Sequence, residues 1–174
     1  MVYDVAAKVL VEKCRDEILR VFLDIPVGES TVVEEVPQET VSLRRADFAI
    51  RVTTEDALPH MVVMEIQSRW EEDIPLRLLE YRTRYILKYG LKTTSILLLL
   101  QPSTKAINGY RDEEVTYEYR LVSIYDMDAR EILDKSSPCL YPLIPLMRNG
   151  RAFAVEAEEL LSKSSLSPGD KGIC

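Results

Sequence analysis

The chain has little of what metal and redox sites usually need. There is one histidine, and the three cysteines, Cys14, Cys139 and Cys174, are odd in number and far apart. No Cys-x-x-Cys pair occurs. These shortages exclude a structural zinc site and predict no disulfide framework. Any metal would have to be a hard cation held by carboxylates. Long apolar runs are missing too. Ile96–Leu100 is far too short to span a bilayer. The start, Met-Val-Tyr-Asp-Val, has an acid and no basic leader, so it does not read as a signal peptide, and the expected compartment is the cytoplasm with no membrane partner. Positive charge is also in deficit. A net charge of −7 counts against an overall basic nucleic-acid binder, although a local basic groove remains compatible with it.

What is present is a chain of 174 residues, long enough for one domain with its own core over 1–163 and a frayed tail over 164–174. Its centre is Met61-Val62-Val63-Met64-Glu65-Ile66-Gln67-Ser68, a β-prone stretch opening with four apolar residues. A strand alternating in and out of water would not do that, so this one is expected to be buried on both faces. Ala46–Val52 reads as its neighbour, joined through a hairpin-like connection over Thr53–Pro59. Glu65 and Gln67 point to one face of their strand, and Asp47 lies on the strand expected alongside. Polar groups at the end of a buried strand are costly without partners, so Asp47, Glu65 and Gln67 are the candidate site.

Around this centre, Tyr3 to Asp24 reads as a first helix, with Val5, Val9, Ile18, Leu19, Phe22 and Leu23 on its apolar side and Asp4 as a cap. Ile25-Pro26-Val27-Gly28 ends it. Thr31–Val33 and Val36–Val41 are short β-prone pieces, the second weakened by Pro37. A helix over Ile74–Tyr89 follows the central strand, with Asp73 as N-cap and Gly90 at its end. Leu76, Leu79, Thr83, Ile86 and Leu87 are its predicted core stripe. Arg77, Tyr81, Arg84 and Lys88 form another stripe, and five basic residues fall between Arg77 and Lys92 with Glu80 the only acid. That stripe suits nucleic acid, and it equally suits a solvated helix face. Thr94–Gln101 is a second buried strand, so residues 61–101 form a βαβ unit with parallel pairing. A loop over Ser103–Glu114, a strand over Val115–Tyr125, a short helix over Asp128–Asp134, an irregular proline-rich stretch over Ser136–Pro145 and a helix over Arg151–Lys163 complete an α/β chain with a mixed sheet flanked by helices.

Asp47 and Glu65, with the backbone carbonyl of Ile66, could hold Mg²⁺ or Mn²⁺, and Gln67 could orient a water. At these residues the sequence resembles the PD-(D/E)XK nuclease superfamily, in particular its transposase-like branch, which includes the recombination-promoting nucleases. The resemblance rests on Arg45-Ala46-Asp47, Glu65-Ile66-Gln67-Ser68, Pro75-Leu76-Arg77-Leu78-Leu79-Glu80-Tyr81 and, further on, Pro142-Leu143-Ile144-Pro145-Leu146. It covers roughly residues 3 to 150. It implies a restriction-endonuclease-like core and Mg²⁺-dependent hydrolysis of DNA phosphodiesters, with Asp47, Glu65 and Gln67 catalytic and Arg77, Tyr81, Arg84 and Lys88 facing DNA. The superfamily's usual lysine is replaced here by Gln67, and three first-helix acids, Glu12, Asp16 and Glu17, compete for the place of its additional acid. A catalytically inactive binding module on the same fold is the alternative. Oligomeric state is left open, a homo-oligomer included.

Overall fold

The computed structural model describes residues 2–33, 46–54, 56 and 58–164, with side chains from residue 8 onward. The expected strand over 36–41, the approach through Leu43, Arg44 and Arg45, and the tail beyond 164 lie outside the described residues.

The centre is strand β3, Pro59–Gln67, and its composition sets the architecture. Val62, Met64 and Ile66 point into one apolar core, while Met61 and Val63 point into another. Both faces are therefore dry, as the apolar run demands. Strand β2, Phe48–Thr54, runs antiparallel beside it, and Phe48 pairs with Met64. Strand β4, Thr93–Leu99, lies parallel on the other side. Strand β1, Val27–Val32, extends the sheet beyond β2. The residues expected as one strand over 115–125 divide at Tyr119. Strand β7, Arg120–Ser123, joins the far edge parallel to β4, whereas β6, Thr116–Glu118, pairs with β5, Gly109–Arg111, in a separate hairpin. β5 thus occupies part of the stretch expected as a loop. The main sheet has the order β1-β2-β3-β4-β7 and is mixed. The chain is α/β, compatible with the restriction-endonuclease-like core that the resemblance implies.

Two helices cover the sheet. Helix α1, Val2–Leu23, has a non-helical residue at Cys14 and buries Leu10, Val11, Ile18, Leu19 and Leu23 on the Val62–Met64 side. The C-terminal elements share that core: α3, Ala129–Asp134, the 3-10 helix Pro138–Leu146 and α4, Gly150–Lys163. The proline-rich stretch is thus helical in the tighter 3-10 form, whose short runs suit Pro142 and Pro145. Gly150 sits where a Cβ would lie 1.8 Å from the Ile144 carbonyl oxygen, so only glycine lets α4 start so close to that helix.

Helix α2, Ile74–Tyr89, covers the other face. Gly90 caps it in the left-handed conformation at φ 64°, and its N–H donates to Ile86 O. Asp73 takes the N-cap position without a side-chain cap bond and pairs with Arg77 instead. The buried face is Ile74, Pro75, Leu78, Tyr81 and Tyr85. This corrects the predicted core stripe: Leu76, Ile86 and Leu87 are exposed, Leu87 at 80%. The helix is apolar around most of its girth, and the tyrosines, which bury the larger surface, turn inward and carry the leucines out.

Cys14 and Cys139 are joined by a disulfide across 125 residues. The sequence reading expected none. Nothing in the spacing of the cysteines shows that α1 packs on the 3-10 helix, and that packing is what brings them together.

Candidate active site

The ladder between β2 and β3 ends at Phe48 and Met64, and Asp47 and Glu65 are the next residues on each side. They are tied reciprocally. The Ile66 N–H donates to Asp47 Oδ2 at 2.9 Å, and the Asp47 N–H donates to Glu65 Oε2 at 3.3 Å. In a strand the N–H and C=O of one residue point to the same side. The Ile66 carbonyl therefore points toward Asp47, where β2 has ended. Gln67 follows on the Glu65 face, and its Nε2 donates to Glu65 Oε1 at 3.0 Å.

Two cations complete the cluster. Arg77, in the first turns of α2, donates through Nη2 to Glu65 Oε1 at 2.5 Å and through Nη1 to Glu71 at 3.1 Å and Asp73 at 3.4 Å. Its Nε is buried and has no hydrogen-bond partner. Lys8, on α1, forms an ion pair with Asp47. Each candidate carboxylate thus has its own cation.

Burial decides the electrostatics. Glu65 is 4% exposed. Burial, then the charge of Asp47, pushes its carboxyl above the usual range, while Arg77 and Gln67 work against that. Arg77 feels burial first, which opposes its charge, but Glu65 outweighs it and the guanidinium is held charged more firmly than usual. Burial and then Glu65 push the Tyr81 phenol up to about 12. Tyr81 is therefore a neutral hydroxyl beside the site at any ordinary pH.

Asp47, Glu65, Gln67, Ile66 and Arg77 are brought together. The proposed nucleic-acid stripe is not one surface. Arg77 is drawn into the site, with 11% of its side chain exposed, and Tyr81 is in the core. Arg84 pairs with Glu80 on the outside of α2, and Lys88 lies over the Tyr89 ring at 5.0 Å. Among the first-helix acids, Asp16 accepts from the Ser30 hydroxyl and Glu17 from the Ser137 hydroxyl at 2.8 Å, while Glu12 is exposed. Among the described residues no group of three or more His, Cys, Asp or Glu side chains is placed to hold a metal ion. Lys8 is the residue that the sequence reading passed over. Its only signal is a basic side chain on the first helix, and its contact with Asp47 is tertiary.

Chemically, the donor set suits a hard cation such as Mg²⁺, which takes carboxylate and carbonyl oxygens and keeps several waters. The flanking Lys8 and Arg77 suit an anion held next to it. Comparison with family models, with curated proteins and with solved structures finds no match to this chain.

Proposed function

We propose that the chain is a Mg²⁺- or Mn²⁺-dependent DNA endonuclease of the transposase-like PD-(D/E)XK type. The observation that carries this reading is the reciprocal tie between Asp47 and Glu65 at the end of β3, with the Ile66 carbonyl directed to the same point. A cation bound there would lower the pKa of water and neutralise charge on the phosphoryl oxygens and the leaving alkoxide. Asp47, Glu65 and Ile66 would hold it. Gln67 uses its Nε2 on Glu65, so its carbonyl oxygen is the atom left to orient an attacking water. It brings no charge, and in this reading Lys8 and Arg77 supply what the superfamily lysine would. Arg84 and Lys88 on the outer side of α2 would meet the DNA backbone further out.

A second reading, an inactive nucleic-acid- or protein-binding module, draws on one specific observation. Both carboxylates are already neutralised, Glu65 by Arg77 and Asp47 by Lys8. Calorimetric titration with Mg²⁺ and Mn²⁺, together with plasmid cleavage, separates the two. The nuclease reading expects metal binding that Asp47→Asn and Glu65→Gln abolish, and cleavage that EDTA stops. Failure of the wild type to bind either metal, or cleavage intact in Glu65→Gln, refutes it.

Among the described residues no helix is long and apolar enough to cross a membrane. The proposed reading places the protein in the cytoplasm, where DNA is in reach, and leaves a homo-oligomer open. The Cys14–Cys139 bridge argues against that compartment, since a reducing cytoplasm keeps thiols apart.

A further inference from the structure

Helix α2 turns a second apolar face away from the sheet. It packs on β3, β4 and β5, and it buries Ile74, Leu78, Tyr81 and Tyr85. At about 100° per residue, Leu76, Leu79, Thr83, Ile86 and Leu87 lie on the opposite side. Their exposures agree. Leu87 is 80% exposed and Leu76 47%, Thr83 and Ile86 are exposed, and Leu79 is half-buried. Among the described residues, three of the exposed large apolar side chains fall on α2, more than on any other element. Leucines scattered singly over a surface need no explanation, but a row of them along one helix marks a contact. The Thr83 hydroxyl donates to the Leu79 carbonyl at 2.8 Å, so no unspent polar group interrupts the row.

The row is edged by charge in a fixed order. Glu80 stands before Thr83, Arg84 and Lys88 stand after it, and all three lie on the flank that also carries Arg77. Within the helix Arg84 pairs with Glu80. Such a surface complements itself. A second α2 laid antiparallel across it, with a twofold axis at Thr83, sets Leu79 against the partner's Leu87 and Leu87 against the partner's Leu79. The twofold axis also keeps like flanks on the same side of the helix pair. Glu80 then falls level with the partner's Ile86, and about 3 Å along the axis from the partner's Arg84. A guanidinium has five N–H donors, so Arg84 has enough for its own Glu80 and for the partner's. The two helix dipoles oppose each other in the same arrangement. Parallel pairing would instead bring Glu80 level with Glu80 and Arg84 level with Arg84.

We propose that the outward face of α2 docks a second copy of this chain, as an antiparallel twofold helix pair. Leu76, Leu79, Ile86 and Leu87 form its apolar centre, and Glu80 and Arg84 cross at its edge. Arg77 is on the same flank as that edge, so the two carboxylate sites lie on one side of the dimer. Arg84 and Lys88 of both copies stay at the rim between them. The inference rests on the surface of α2 alone and does not depend on the nuclease reading.

The test is sedimentation equilibrium on the full chain, from about 1 µM to about 1 mM. A single helix pair falls at the low end of specific interfaces, so a dissociation constant of roughly 10–100 µM is expected. Leu87→Asp should weaken association about tenfold or more, because the twofold axis counts the lost burial twice. It should leave the melting temperature of the dilute chain nearly unchanged, since Leu87 is exposed there. Glu80→Arg and Arg84→Glu should each weaken association by setting like charges across the seam. An equimolar mixture of those two variants should associate about threefold or more tightly than either alone, because every crossing pair is then of opposite sign. A pairing confined to one helix would not produce that rescue. Should Leu87→Asp fail to fold, Leu76→Asp and the mixture decide the matter. A wild-type chain that stays monomeric over the whole range overturns the proposal and leaves the face to a partner of another kind. Association indifferent to Leu87→Asp, or a mixture no tighter than its parts, overturns it as well.

Discussion

Replacing Arg77 by leucine strands a buried charge. Glu65 is 4% exposed, and among the described residues Arg77 is its only cationic hydrogen-bond partner, at 2.5 Å. Breaking a buried ion pair by removing one partner typically costs about 3–5 kcal/mol, because the other charge is left uncompensated. Two donors remain on Glu65 here, the Gln67 amide and the Asp47 N–H, so the expected loss at neutral pH is nearer 3 kcal/mol. For a chain of this length that lowers the melting temperature by roughly 6–12 °C. The pH dependence follows from the direction of the Glu65 shift. Its folded pKa is already above the unfolded value, and Arg77 is among the influences that hold it down. Without Arg77 the folded pKa rises further. A raised carboxyl favours the folded state only when protonated, so the penalty is full above the folded pKa and fades as pH falls toward the unfolded value near 4.3. Arg77→Leu should therefore be close to wild type near pH 4.5 and clearly less stable at pH 8. Adding Glu65→Gln removes the stranded charge and should restore at least half of the loss at pH 8. Chemical denaturation at several pH values reads all of this. A loss below about 0.5 kcal/mol, or one that is the same at pH 5 and pH 8, would refute the account of the pair.

Three further outcomes test the packing. Gly150→Ala puts a Cβ into the Ile144 carbonyl and should cost about 3 kcal/mol, read as a lower denaturant midpoint. Leu78→Ala should cost about 2–5 kcal/mol, whereas Leu87→Ala on the same helix should stay within about 0.5 kcal/mol; the reverse order would mean that α2 turns its other face to the sheet. Denatured, unreduced protein should titrate one thiol, Cys174, and three after reduction, and reduction should lower stability by about 4–5 kcal/mol for so long a loop.

The parts of the fold that local pattern controls were legible. Four apolar residues in a row, Met61–Met64, specify a strand dry on both sides whatever surrounds it. The short link between β2 and β3 makes them antiparallel neighbours, which is why Asp47 and Glu65 could be paired from sequence. The face of α2 was not legible in the same way. Leucines and tyrosines alternate around that helix, and the choice between them depends on the depth of the groove above Met61, Val63 and Leu97 rather than on period. Long-range partners were not legible at all. Lys8 with Asp47, Cys14 with Cys139 and Arg120 with the Leu23 carbonyl depend on how α1 lies across the sheet, and no spacing encodes that.

The carboxylate cluster is more expensive than stability alone would select. An apolar side chain at Glu65 would continue the dry face begun by Met61 and Val63, and replacing buried ion pairs by packed apolar groups is often neutral or stabilising. Instead the chain places an acid there, sets a second acid beside it whose charge raises the cost of ionising Glu65, and then commits Arg77, Lys8, Gln67 and two backbone N–H groups to hold both. Gln67 is informative within that set. A residue needed only to neutralise Glu65 would serve better as a lysine, yet the position holds an amide, which donates to Glu65 through Nε2 and brings no charge. The proposed reading accounts for that cost: in it, two acids flanked by cations serve a phosphate diester and the ion that would cleave it.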